Sequence, residues 1–163
     1  MKLYVKNKLI SVGGSSDVLN ENQEPHFKVV GKVFSPTKKK VITDLEGNAL
    51  FTVRNKFWRF FVKSAFVYDA NGEKIAKVKK KFWSFKNRFF VEGYKDEIAV
   101  EGEFFNRHMP VLKNGEKIGT ISREFSLFQD AYCVESDESE IPFLVALTVA
   151  IDNILDEERK DNK

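Results

Sequence analysis

Hydrophobic and polar residues alternate along most of the chain as far as Val134. A period of two places successive side chains on opposite faces of a β-strand, so this pattern is typical of strands with one buried face. β-branched and aromatic residues, which favour strands, fill many of the apolar positions. Strands are predicted near residues 2–6, 9–12, 16–20, 26–34, 39–44, 49–57, 60–69, 74–83, 87–92, 97–104, 108–113, 117–124 and 130–135.

A unit consisting of a turn, an alternating segment and an aromatic stretch recurs at an offset of 25 residues. Asp44, Gly47, Leu50, Val53, Lys56, Phe57 and Trp58 correspond to Asp69, Gly72, Ile75, Val78, Lys81, Phe82 and Trp83. A third copy starts at Asn114, and a weaker early copy starts at Asn22. Asp, Asn and Gly favour turns because they tolerate positive φ. Hairpins with one apolar face are not stable alone, but several in series can curl into a barrel.

A different pattern follows Val134, because the run Phe143–Ile151 is apolar on every side. It predicts a helix over about 139–157 that must be buried all round. Its length of about 20 Å fits the depth of a small barrel, so we expect it to pass through a closed sheet. A helix lying on a membrane surface is disfavoured because 143–151 has no polar face. The run is also far shorter than the roughly 20 residues that span a bilayer.

Composition adds the domain organisation and the compartment. A length of 163 residues with 42% hydrophobic residues is typical of one globular domain. We expect a single, mainly β domain over 1–157 and a charged tail over 158–163. Cys133 stands alone, so no intramolecular disulfide can form, and the first residues lack the apolar core of a signal peptide. These features favour a cytoplasmic protein.

Three features of the chain resemble the LURP-one-related family, whose fold is similar to the tubby C-terminal domain and the phospholipid scramblases. They are the segment Leu3-Tyr-Val-Lys-Asn-Lys, the recurring Gly-x-x-φ-x-x-Val-x-x-x-Phe units and the apolar helix Phe143–Leu155. The resemblance implies an antiparallel β-barrel of about twelve strands around a central hydrophobic helix. It implies no functional residue here. Neither the phosphoinositide-binding basic residues of the tubby relatives nor the calcium-binding segment of the scramblases can be matched by position.

The formal net charge of +3 conceals two oppositely charged parts of the chain. Residues 26–95 contain 17 basic and 5 acidic residues, whereas residues 96–163 contain 7 basic and 16 acidic residues. Such a division can present one basic face to anions. It can equally mean that the two parts attract each other within the fold and that the remaining lysines are simply solvated.

One basic and aromatic surface is the candidate site. Alternation places Val53 and Phe57, and likewise Val78 and Phe82, on one face, and basic and Trp side chains on the other. The candidate residues are Arg54, Lys56, Trp58, Lys79, Lys81 and Trp83. Trp and Lys together suit anionic lipid head groups. Single-stranded nucleic acid and a protein partner are weaker alternatives, and the tryptophans could instead pack beneath loops.

Motifs for catalysis are missing from the sequence. There is no Gly-x-Ser-x-Gly, no phosphate-binding Gly-rich loop and no His-Glu-x-x-His, and His26 and His108 are isolated. We therefore expect no catalytic residue, metal or cofactor. The sequence favours a non-enzymatic binding or scaffold domain, peripheral to the inner membrane face. The alternative is a small-ligand carrier or enzyme with a pocket at one barrel end, which the helix opposes by occupying the lumen.

Overall fold

A computed structural model describes residues 1–6, 15–32, 34–57, 63–80, 89–100, 108–124 and 131–161. These residues form twelve β-strands and one C-terminal α-helix, so the chain is mainly β as expected. The elements are β1 Lys2–Lys6, β2 Ser15–Asn20, β3 Pro25–Gly31, β4 Lys40–Thr43, β5 Ala49–Asn55, β6 Ser64–Tyr68, β7 Lys74–Lys80, β8 Phe89–Gly93, β9 Ile98–Val100, β10 Met109–Lys113, β11 Glu116–Glu124, β12 Ala131–Ser136 and α1 Ile141–Asp161. The segment 9–12, expected as a strand, lies outside the described residues.

The strands form one antiparallel sheet that curls into a nearly closed barrel. Neighbours in sequence are neighbours in the sheet from β1 to β8 and from β9 to β12, and β1 pairs with β12. The described parts of β8 and β9 lie beside each other but pair only with β7 and β10, respectively. The expected antiparallel barrel is therefore confirmed, with a seam between β8 and β9.

Two turns show why the Asp-x-x-Gly sequences bend the chain. Gly47 and Gly72 adopt φ values of 93° and 80°, in the left-handed region that favours glycine. In each turn the Asp carboxylate accepts a hydrogen bond from the backbone N–H four residues later: Asn48 N to Asp44 Oδ1 and Glu73 N to Asp69 Oδ1, both 2.8 Å. These bonds join β4 to β5 and β6 to β7 as tight hairpins.

Period-two alternation places the core residues of these hairpins correctly, with one correction. Val53 and Val78 are fully buried inside the barrel, as the alternation predicts. Phe57 was expected on the same face as Val53, but it is 60% exposed. Strand β5 ends at Asn55, so the alternation no longer governs the direction of Phe57. Phe82, the corresponding residue of the second copy, lies outside the described residues.

Helix α1 fills the barrel, and every residue from Phe143 to Leu155 is buried. It contacts strands on both halves of the sheet, from β4 to β7 and at β11 and β12. Gly119 of β11 allows one close approach, because a Cβ there would collide with Leu144 Cδ2 and the Glu135 carbonyl. The helix begins at Ile141 and ends at Asp161, whereas 139–157 was expected. Residues 158–161 of the predicted tail are therefore its last turn.

Candidate functional site

Four lysines of the basic segment 26–95 contact the last turns of α1. They come from the connections and strand ends at the barrel end where the helix finishes, and each forms an ion pair with a helix carboxylate. The pairs are Lys38–Asp156 at 2.9 Å, Lys40–Asp152 at 3.6 Å, Lys63–Asp161 at 2.6 Å, and Lys80–Glu158. Attraction between the basic and acidic parts of the chain thus accounts for these four cations, and it holds residues 158–161 on the barrel.

The innermost of these pairs lies inside the barrel. The side chain of Asp152 is fully buried, and that of Lys40 is 8% exposed. Tyr132 OH donates to Asp152 Oδ1 at 3.4 Å. Burial lowers the pKa of Lys40, and the charge of Asp152 opposes that shift. The pair is enclosed by the sheet, so it holds the helix in position and is not available to a ligand outside the barrel.

A second set of cations lies on the outside of the barrel. Strand pairing places Arg54, Phe66, Lys77 and Glu92 side by side across β5, β6, β7 and β8. The side chains of Arg54, Phe66 and Lys77 project away from the core, because their sequence neighbours Val53, Ala65, Val67 and Val78 are fully buried. Glu92 is itself exposed. We call the following residues the outer basic face: Arg54, Lys56, Phe66, Tyr68, Lys74, Lys77 and Lys79.

Aromatic rings underlie the cations of this face. Lys74 Nζ lies 4.2 Å from the ring centre of Phe66 and 5.8 Å from those of Tyr68 and Tyr94. Lys77 Nζ lies 5.6 Å from the Phe66 ring. A cation within about 6 Å of a ring centre is attracted by the electrons of the ring face. The aromatic layer therefore holds several positive charges together at the surface.

Repulsion among the lysines shows how densely the face is charged. Partial burial lowers the pKa of Lys77, and the neighbouring charges of Lys79 and Lys56 lower it further, whereas the charge of Glu92 opposes the shift. Lys79 Nζ pairs with Glu92 at 2.5 Å. This hydrogen bond lowers the pKa of Glu92. Lys56 is exposed and forms no ion pair with another described residue. An anion approaching this face would therefore relieve repulsion among cations.

The sequence-predicted site is located in part by the structure. Arg54 and Lys79 lie on the outer basic face beside the fully buried Val53 and Val78, and Lys56 is exposed directly after β5. The other three candidates, Trp58, Lys81 and Trp83, lie outside the described residues. Their segments, 58–62 and 81–88, connect β5 to β6 and β7 to β8.

Sequence reasoning missed the aromatic layer beneath the cations. Phe66 and Tyr68 would usually be assigned to a core because they are large and apolar. Their position in β6 carries the opposite signal, since they alternate with Ala65 and Val67, which are fully buried. Alternation over residues 65–68, with Ala65 and Val67 directed inward, could have identified both rings as outward.

Two further phenylalanines are exposed near the same strands. Phe57 follows β5 and is 60% exposed, and Phe90 of β8 is 52% exposed. Phe90 lies opposite Lys79 in the strand register. Exposed Phe side chains beside lysines give the surface an apolar component in addition to its charge.

Cys133 has the surroundings of a packed side chain. It is buried in β12, and burial raises the pKa of its thiol to about 12. The thiol is therefore protonated at neutral pH, and a protonated thiol is a poor nucleophile.

A cavity lies at the barrel end where α1 begins. Its volume is about 240 Å³, and Phe51, Ile75, Ile98 and Phe143 are among the residues that line it. The alternative sequence hypothesis required such a pocket at one end of the barrel. The helix fills the middle of the lumen but leaves this space beside its first turn.

Comparisons with known proteins agree with this architecture. The family model described as LURP-one-related matches residues 1–152. An X-ray structure of a protein from Arabidopsis thaliana is similar with a TM-score of 0.65 and 18% identity, covering 94% of this chain and 90% of that one. At this identity the similarity concerns the fold alone. A search of curated proteins finds no match. Within the described part of the chain, no helix has the length and apolar character needed to cross a membrane.

Proposed function

Since the chain belongs to the LURP-one-related family, we propose from its own surface that it is a non-enzymatic module that binds anionic phospholipid head groups. The outer basic face is the binding surface, and the inner, cytoplasmic leaflet of a membrane is the target. The observation that carries this proposal is a set of five cations on either side of the aromatic residues of β6. Arg54 lies on β5 and Lys56 directly after it, and Lys74, Lys77 and Lys79 lie on β7.

The chemistry of the face suits a membrane surface. Aromatic side chains prefer the level of the lipid head groups, where one side is apolar and the other is wet. Each Lys or Arg close to an anionic leaflet contributes about 1 kcal/mol. Lys79 is already paired with Glu92, so the other four cations would contribute up to about 4 kcal/mol, enough for weak, reversible binding. Phe57 and Phe90 add apolar area that can enter the interface.

The lysine-covered rings of this face are poor stacking sites for single-stranded nucleic acid. Bases bind such surfaces by stacking on open aromatic faces. Lys74 Nζ already covers the Phe66 ring at 4.2 Å and lies 5.8 Å from the centres of Tyr68 and Tyr94. A base could stack on these rings only after displacing the lysine. A lipid phosphate needs no such displacement, because it binds the ammonium group from the solvent side.

Co-sedimentation with liposomes tests the proposal. The full-length chain should sediment with vesicles that contain phosphatidylserine and not with phosphatidylcholine vesicles. Binding should decline steeply with salt, because the screening length falls from about 8 Å at 0.15 M to 3 Å at 1 M. The double variant Arg54→Glu/Lys56→Glu should bind at least about 30-fold more weakly, since two contributions of about 1 kcal/mol are lost.

A matched control separates this face from net charge. Lys6→Glu/Lys117→Glu makes the same charge change at exposed positions in β1 and β11, on the opposite side of the barrel. It should retain most of the binding. Equal losses in both double variants would show that net charge alone attracts the chain to vesicles. Equal sedimentation of the native chain with both lipids would refute the membrane proposal.

Removal of an aromatic side chain tests the apolar contribution to membrane binding. Phe57→Ala should weaken binding while leaving its salt dependence almost unchanged, because the exposed ring contributes area and not charge. Trp83→Ala makes the same test for the candidate tryptophan of 81–88. Neither substitution should change the melting temperature by more than a few degrees if its ring acts at the membrane.

A further inference from the structure

The cavity beside the first turn of α1 has apolar walls from four elements. Phe51 comes from β5, Ile75 from β7, Ile98 from β9 and Phe143 from the helix. The rings of Phe51 and Phe143 have centres 6.1 Å apart and are tilted by 51°. A ligand with an aromatic or branched apolar group could therefore contact the walls of the cavity on several sides.

The seam of the barrel explains why this space is unfilled. The described parts of β8 and β9 do not pair, so the sheet is open beside the turn that joins them. That turn is tight, because a Cβ on Gly93 would collide with the carbonyl oxygen of Asp96. Asn114 fixes it from β10's side by donating to Asp96 Oδ1 at 2.9 Å and accepting from Glu97 N at 2.9 Å. The backbone of the turn that borders the opening is therefore held in place by these hydrogen bonds.

Charged groups at the rim are already paired with one another. Lys113 Nζ lies 2.9 Å from Glu140 Oε1 and 3.9 Å from Asp96 Oδ2. Lys95 pairs with Glu73. Each of these lysines is therefore already neutralised by a carboxylate. A charged ligand would find no uncompensated partner at the rim, and its own charge would lose water on entering the cavity.

Uncharged donors face no such obstacle. A carboxylate has about four lone-pair sites, so Glu140 and Asp96 can each accept a further hydrogen bond while keeping their lysine. We propose that this cavity binds a small, neutral aromatic molecule that carries one N–H or O–H donor, of the indole or phenol class. The aromatic body occupies the space among Phe51, Ile75, Ile98 and Phe143, and the donor reaches a rim carboxylate.

The volume is consistent with this size class. An apolar cavity of about 150 Å³ is large enough for benzene. The 240 Å³ found here therefore suits a bicyclic ring, and it lies below the range of about 300–1,000 Å³ usual for larger ligands. This inference does not rest on the membrane proposal, because its residues are separate from the outer basic face.

Titration of the isotope-labelled full chain with indole, followed by two-dimensional NMR, tests the inference. Indole should shift the amide signals of residues around Ile75, Ile98 and Phe143, with a dissociation constant on the order of 1 mM or tighter. Indole-3-carboxylate and tryptamine, which carry opposite charges, should bind at least tenfold more weakly. No shifts at 5 mM indole, an amount about five times the expected constant, would overturn the site. If indole-3-carboxylate or tryptamine bound as tightly as indole, the assignment of the ligand class would be overturned.

A cavity-filling variant locates the site. Ile75→Phe should abolish the indole shifts, because the larger ring occupies the space. Leu45→Phe, a similar enlargement at a 52% exposed turn position, should leave them unchanged. The undisturbed spectrum of each variant away from the substitution shows that it is folded. If Ile75→Phe does not fold, the shift map of the native chain decides, and shifts centred elsewhere would refute the site.

Discussion

Replacing Lys40 by Met should destabilise the fold far more than the same change at Lys63. Both lysines pair with carboxylates of α1, so the substitution removes one ion pair in each case. The partners differ in exposure: the Asp152 side chain is fully buried, whereas the Asp161 side chain is 65% exposed. The cost depends on what happens to the carboxylate left behind, and only Asp161 can be solvated by water.

The expected magnitudes follow from this difference. Removing one partner of a buried ion pair typically costs about 3–5 kcal/mol, because the remaining charge is left in a poorly solvating interior. Tyr132 still donates to Asp152, so we expect about 3 kcal/mol for Lys40→Met. A pair with an exposed partner contributes at most about 1 kcal/mol, and we expect no more for Lys63→Met.

Urea unfolding followed by circular dichroism measures both variants. For a chain of this size, a loss of about 3 kcal/mol also lowers the melting temperature by roughly 6–12 °C. Adding Asp152→Asn to Lys40→Met should restore much of the stability, because the charge of the buried carboxylate is removed while Tyr132 keeps a partner. Equal, small losses for Lys40→Met and Lys63→Met would refute the reasoning and show that water reaches Asp152.

Three further predictions concern the helix and its surroundings. Ala146→Asp should cost several kcal/mol in urea unfolding, because a carboxylate would enter a fully buried site in mid-helix. Gly119→Ala should cost about 1–3 kcal/mol in the same assay, since its Cβ would lie 2.5 Å from the Glu135 carbonyl oxygen and close to Leu144. Burial opposes the lowered pKa of Asp156, but the hydrogen bond and charge of Lys38 prevail. This stabilisation is present above the ordinary pKa of 3.8 and is lost as the pH falls through the lower folded-state pKa. The unfolding free energy of Asp156→Asn should therefore fall less on acidification than that of the native chain, and an identical acid profile would contradict this assignment.

Local patterns in the sequence were sufficient for the barrel and its helix. Alternation in segments such as β7 specifies which side chains are buried, because a strand directs them to opposite faces. Gly47 and Gly72 mark turns because their positive φ is unfavourable for other residues. The all-round apolar run from Phe143 required burial on every side. Each of these signals depends on neighbours within a few residues.

Features that depend on distant residues were not predictable in the same way. The helix was expected to end near residue 157, yet its last turn is held by pairs such as Lys63–Asp161 and Lys80–Glu158. The partners in these pairs are separated by 98 and 78 positions in the numbering of the chain. A charged tail and a charged final turn have the same composition, so only the barrel around them distinguishes the two. Alternation within β6 could direct Phe66 and Tyr68 outward, but their position beside Lys74 and Lys77 depends on which strands are adjacent.

The direction of each lysine, more than its number, decides what it contributes. Lys79 and Lys80 are adjacent in β7, and a strand directs adjacent side chains to opposite faces. Lys79 pairs with Glu92 on the outside of the sheet, whereas Lys80 pairs with Glu158 of the helix. A count of charges along 26–95 combines both kinds of cation. Among the described cations, those that pair with the helix stabilise the fold, whereas those on the outer basic face are available to the proposed anionic partner.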